Sequence, residues 1–119
     1  MPGDTNRRNR TTSGTITNSA ASSVEIVMVN QSGADSGVYA GGVVQIPANS
    51  IGTCNWYAKA KSDSTPALLY DTSGTAVTTT IAAGGGVYPL PYAASFGAYS
   101  VIPVAGTTGG VTIVAGMLT

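Results

Sequence analysis

The chain has no histidine, a single cysteine, and ten charged residues among 119. Each scarcity excludes something. Without histidine, the commonest general base and transition-metal ligand is missing. A lone cysteine, Cys54, cannot close an intrachain disulfide, which excludes a disulfide-stapled secreted scaffold. Its expected place is in the core, as a small apolar residue. Charged residues make up 8% of the chain, against roughly 25% in an ordinary soluble domain. One glutamate and four leucines are too few for a coiled coil or long-helix protein. Five basic residues balance five acidic ones, so no broad basic face serves nucleic acid. Apolar runs are short as well. The longest useful one, residues 24–29, is interrupted by Glu25, whereas a membrane-spanning helix needs roughly 20 residues. The N-terminus lacks the apolar core of a signal peptide, and Pro2 stands where N-myristoylation requires glycine. We therefore expect no membrane partner, and assembly in a cytoplasm.

Uncharged residues fill the space that charge leaves: 16 Thr, 12 Ser, 16 Gly and 16 Ala. Hydrophobic residues still reach 43%, enough for one domain with a modest core. Residues 1–22 differ from the rest. They are rich in Asn, Thr and Ser, hold Arg7, Arg8 and Arg10, and have Ile16 as their one large apolar residue past Met1. Such a segment buries too little apolar area to offset its ordering entropy alone. The expectation is an extended polar and basic arm over 1–22, ordered on a partner surface, followed by a domain over 23–119.

From Ser23 onward the texture is that of strands. β-Branched or alternating runs occur at 23–30, 38–46, 53–61, 67–70, 75–81, 87–90, 98–104 and 110–117. In the third run, period-two alternation puts Cys54 and Trp56 on one face and Lys59 and Lys61 on the other. Asp71-Thr72-Ser73-Gly74 supplies turn chemistry for a hairpin. Five of the six prolines fall between Pro47 and Pro103, at expected strand ends or edges. Residues 40–47 and 84–91 echo one another, each a glycine cluster, an alternating strand and a proline. In a two-sheet sandwich these two segments are candidates for equivalent strands of two halves. Eight short strands at about 10-residue spacing, with no 3.6-residue apolar period, predict an all-β chain: an antiparallel β-sandwich or jelly roll.

Catalytic constellations are missing. Asp71-Thr72-Ser73-Gly74 differs from the Asp-Thr-Gly of aspartic proteases by the inserted Ser73, and occurs once where those enzymes need two. No phosphate loop, dinucleotide fingerprint or nucleophile elbow is present. The carboxylates Asp4, Glu25, Asp35, Asp63 and Asp71 stand singly, while a hard cation needs several oxygens together. No catalytic residue, cofactor or metal site is expected. Arg7, Arg8 and Arg10 are the candidate partner contacts of the arm. Tyr88, Tyr92, Phe96 and Tyr99 crowd one short window and are the candidate interface or glycan contacts.

A neutral Thr/Ser/Gly/Ala surface suits a subunit whose edges and patches are covered in an assembly. A homo-oligomer is expected, with a trimer as the leading arrangement. The series Gln45-Ile46-Pro47, Trp56-Tyr57-Ala58-Lys59-Ala60, residues 68–77, Ile81-Ala82-Ala83-Gly84, Pro89-Leu90-Pro91 and Gly110-Val111-Thr112-Ile113-Val114 runs in order through the last 75 residues or so. This series resembles small β-sandwich structural proteins of tailed bacteriophages, of the capsid decoration or cement type. The Gly84-Gly85-Gly86 run and the scarcity of acidic residues depart from that type. The resemblance implies a virion protein on the capsid surface that binds the major capsid protein and braces adjacent capsomers. A carbohydrate-binding or adhesive β-sandwich module is the alternative, carried by the tyrosine-rich window.

Overall fold

A computed structural model describes residues 9–30, 37–38, 41–48, 52–91, 94–95, 97–106 and 110–118. Among the described residues there are eleven strands and no helix. They are β1 (Asn9–Ile16), β2 (Ile26–Val27), β3 (Val29–Asn30), β4 (Gly37–Val38), β5 (Gly41–Ile46), β6 (Thr53–Lys59), β7 (Ala67–Leu68), β8 (Thr78–Thr80), β9 (Gly86–Pro89), β10 (Ser100–Ala105) and β11 (Val111–Leu118). Sheet A has the order β1-β11-β5-β9, and sheet B the order β2-β10-β6-β7, with β8 also on β6. All pairings are antiparallel. A separate two-stranded pair joins β3 to β4.

Strands β7 and β8 lie end to end along the same side of β6, opposite Tyr57–Ala58 and Thr53–Asn55 respectively. Between them the chain leaves the sheet at Leu69 and returns at Val77, as the Asp71–Thr75 hairpin. Counted as one interrupted edge strand, they give each sheet four strands. Setting aside the β3–β4 pair, the chain then passes between sheets A and B at every connection except β6 to β7. This is the winding of a jelly roll. The expected all-β sandwich is therefore the fold.

The two sheets share one core. Inward residues alternate along the strands: Val44 and Ile46 in β5, Cys54 and Trp56 in β6, and Ile113, Ala115 and Met117 in β11, all essentially inaccessible. The β5 and β9 segments that echo in sequence are neighbours, paired within one sheet.

The structure redraws the boundary of the expected arm. Arg7 and Arg8 lie outside the described residues, but Asn9–Ile16 is a full strand laddered to β11 from Asn9↔Leu118 to Ile16↔Val111. Ile16 is completely buried in the core. The polar texture of the segment has two uses. Its backbone groups pair with a strand whose own inward residues supply the apolar burial. Past β1, hydroxyls close the turn on themselves: Thr17 N–H donates to Ser23 Oγ at 2.8 Å, and Thr17 Oγ1 donates to the Ser19 carbonyl at 3.0 Å. Residues 9–22 thus belong to the sandwich.

Pro103 also departs from expectation, because it sits inside β10 between two neighbours rather than at a strand end. Its ring is fully buried. The missing N–H faces the β2 side of β10, and β2 pairs only with Ser100 and Val101. Further along, Ala105 N–H donates to the Thr17 carbonyl. Pro103 falls in the gap between these partners, where no ladder bond is lost.

Candidate interaction surface

The outward faces of the two sheets differ. Opposed residues on neighbouring strands share a face, so the register of sheet A defines two outward rows. One runs Ser13–Val114–Gln45–Val87, the other Thr11–Gly116–Val43–Pro89. Neither row contains a charged residue. Val43, Val87 and Val114 are 46%, 60% and 45% exposed, three of the four large hydrophobic residues that stand out in solvent among the described residues. The fourth is Tyr70. Sheet B is unlike this. Ser100, Ile102 and Val104 alternate with the inward residues of β10 and so point outward, yet all three are buried. The outer face of sheet B is covered around β10, whereas that of sheet A is open.

A small polar cluster lies on sheet B. Glu25 Oε2 accepts from Ser100 Oγ at 2.5 Å and from Lys59 Nζ at 3.1 Å. The same ammonium stands 5.8 Å from the centroid of the Tyr99 ring, within cation–π range. Lys59, expected outward and wet, is instead only 15% exposed. The arrangement tethers the segment before β2 to the β10–β6 pair. Ser100 has no access to solvent, so its hydroxyl meets no substrate despite the adjacent carboxylate. Lys61 and Asp63 pair loosely at 3.8 Å in an exposed turn.

The tyrosine window divides. Tyr88 is half-buried in β9 and packs against the core, and its hydroxyl accepts from Ala82 N–H at 2.8 Å. Tyr99 precedes β10 and joins the Lys59 cluster. Tyr92 and Phe96 lie outside the described residues. Arg10 is exposed in β1. An open groove of about 470 Å³ runs between the β6–β7 turn and the segment before β10. Its walls include Lys59, Ala60, Thr65, Leu69 and Ala98, and the exposed Tyr70 lines it too.

Two groups are tuned by their surroundings. Burial pushes the Cys54 thiol up to about 12, only partly offset by a hydrogen bond with the Val104 backbone. The Asp71 carboxyl is held below its usual range, first by the Ser73 hydroxyl at 2.7 Å and then by Thr75 N–H at 3.0 Å. This carboxylate closes the hairpin expected at 71–74, where Gly74 adopts φ +82°. Among the described residues, no three of His, Cys, Asp or Glu gather as a metal site. Nor is any helix long and apolar enough to cross a membrane.

The exposed valines escaped the sequence reading, but a signal was there. Val111-Thr112-Ile113-Val114-Ala115 carries apolar residues at both parities. One parity fills the core, and the other must then be open or covered by something else.

No family model matches the chain, and no curated protein matches it. Among solved structures it is similar to the crystal structure of the SPBc2 prophage-derived protein YomS. That similarity is 19% identity over 94% of this chain and 96% of that one, at a TM-score of 0.49.

Proposed function

We propose that this chain is a non-enzymatic structural protein of a virion, of the capsid decoration or cement kind. It seats on the outside of a shell of major capsid protein and is assembled there from the host cytoplasm. The observation that carries this reading is the uncharged, valine-bearing outer face of sheet A. Soluble monomers keep roughly 25–35% of their surface charged and avoid large contiguous apolar patches. A face whose two rows of four residues carry no charge is comfortable when a partner covers it. The winding adds support by analogy alone, because double-sheet jelly rolls serve in viral capsids, among other roles. The resemblance of the sequence to phage decoration proteins points the same way.

The experiment is to purify particles from the strain that carries the gene and identify their proteins by mass spectrometry. The chain is expected in the particle at high copy number. Added back to particles stripped of it, the wild-type chain is expected to rebind. A Val114→Lys, Val87→Lys double variant that melts normally is expected to rebind at least tenfold more weakly. Particles that lack the chain overturn the proposal.

The second reading, a carbohydrate-binding module, is favoured by the groove beside Tyr70. Its volume falls within the roughly 300–1,000 Å³ typical of ligand sites. Titrating oligosaccharides against the labelled protein by NMR, with Tyr70→Ala as control, decides between the two.

A further inference from the structure

Sheet edges are where unpaired backbone groups invite other chains, and natural proteins blunt them. Among the described residues, three of the four edges of sheets A and B are blunted. Strand β2 has two residues. The β7–β8 edge is broken by the Leu69–Val77 excursion. Strand β9 has four residues and ends in Pro89. Register places the backbone of Pro89 on the open side of β9, where it offers no N–H.

Strand β1 is the exception. It has eight residues, no proline and no lysine, and Arg10 is its one charged residue. The Thr15 carbonyl accepts from Val24 N–H, which shows that Thr15 faces away from β11. By alternation, the N–H and C=O groups of Ser13 and Thr11 face the same way. Val24 covers only the end of this edge, and both residues are exposed.

We infer that the open edge of β1 pairs antiparallel with the β1 edge of a second copy of this chain, joining two A sheets across a two-fold axis. The register that keeps clear of Val24 sets Thr11 opposite its own copy and Ser13 opposite Asn9. It forms about six backbone hydrogen bonds. Arg10 then faces Thr12 of the partner subunit, so no like charges oppose. The second copy is the occupant that chemistry favours. A strand of threonine and serine offers matching hydroxyl pairs to itself, and the union extends the uncharged outer face of sheet A without interruption. Identical antiparallel strands close on a two-fold, so this contact makes a dimer, and a trimer requires another surface. The inference concerns the free protein and does not rest on the virion reading.

Sedimentation velocity on the full chain, up to about 100 μM, tests it. The wild type is expected to show a monomer–dimer equilibrium. Thr11→Lys sets two lysines face to face and is expected to raise the dimer Kd at least tenfold, with partial recovery in high salt. Val87→Lys, on the far strand of the sheet, is expected to leave it unchanged. Amide hydrogen exchange at Thr11 and Ser13 is expected to slow as concentration rises. Trp56 fluorescence melts check that each variant is folded, and Ser13→Pro is the second variant should Thr11→Lys fail that check. A wild type that stays monomeric throughout overturns the inference. So does a dimer that Val87→Lys breaks and Thr11→Lys does not, or one in which the Thr11 and Ser13 amides stay unprotected.

Discussion

Replacing Ile16 with alanine separates a strand from an arm. If residues 1–22 were an appendage, truncating one side chain there would leave the melting temperature alone. In the structure Ile16 is fully buried, paired with Val111, and part of the same cluster as Trp56 and Ile113. Removing three buried carbons from an isoleucine costs roughly 2–5 kcal/mol, depending on how far the site collapses. Strand β1 is an edge with freedom to settle inward, so about 3 kcal/mol is the expected loss. The unfolding entropy of a 119-residue domain is about 0.25 kcal/mol per kelvin, so that loss lowers the Tm by about 12 °C. Trp56, the one tryptophan and completely buried, reports unfolding by fluorescence. Thr15→Ala, on the exposed face of the same strand, is the control and is expected within about 0.5 kcal/mol of wild type. A drop below about 4 °C for Ile16→Ala, equivalent to roughly 1 kcal/mol, would refute the integration of β1 into the core.

Three further outcomes follow from the geometry. The Trp56 indole N–H donates to Thr79 Oγ1 at 2.9 Å. Thr79→Val leaves that donor without its partner and is expected to cost about 1–3 kcal/mol in urea titrations; an unchanged midpoint contradicts it. Gly85 adopts φ +76°, and a Cβ there would collide with the Ile46 carbonyl oxygen. Gly85→Ala is therefore expected to lose more than about 2 kcal/mol, whereas Gly74→Ala, at φ +82° in open space, is expected to lose about 1 kcal/mol. Equal losses at both sites, read from thermal melts, would count against the crowded contact. The buried Cys54 thiol, raised from 9.0 to about 12, is expected to resist thiol reagents at pH 8 until the chain unfolds. Above pH 9 the unfolded thiol ionises while the folded one keeps its proton, so stability falls as pH rises between about 9 and about 12. Rapid labelling of folded protein at pH 8 would contradict this burial.

Local chemistry made much of the fold legible. The inward pair Cys54 and Trp56 followed from alternation over a few residues. So did the hairpin at Asp71–Gly74, where a carboxylate and a glycine meet the demands of one turn. Every strand expected after Ser23 has an observed counterpart. Such features depend on neighbours in sequence, and neighbours are what a sequence displays. The candidate site was less legible. Tyr88 and Tyr99 are close in sequence, but Tyr88 lies in β9 of sheet A and Tyr99 leads into β10 of sheet B, because the chain changes sheet between them. Whether Val114 meets solvent, and whether Val104 does not, depends on what lies over each sheet.

What the sequence determined by itself was the class of structure: short β-branched runs, scarce charge, abundant turn residues, and therefore stacked antiparallel sheets. Tertiary structure decided which strands are neighbours and where the domain begins. Strand β1 shows why. Arg10-Thr11-Thr12-Ser13-Gly14-Thr15 has almost no apolar signal, and its strand character is lent by β11, about a hundred residues away in the chain. The ladder satisfies its backbone, the partner strand provides the apolar wall, and Ile16 alone anchors it in the core. Burial of that kind is a property of the pair of strands, and neither segment displays it alone.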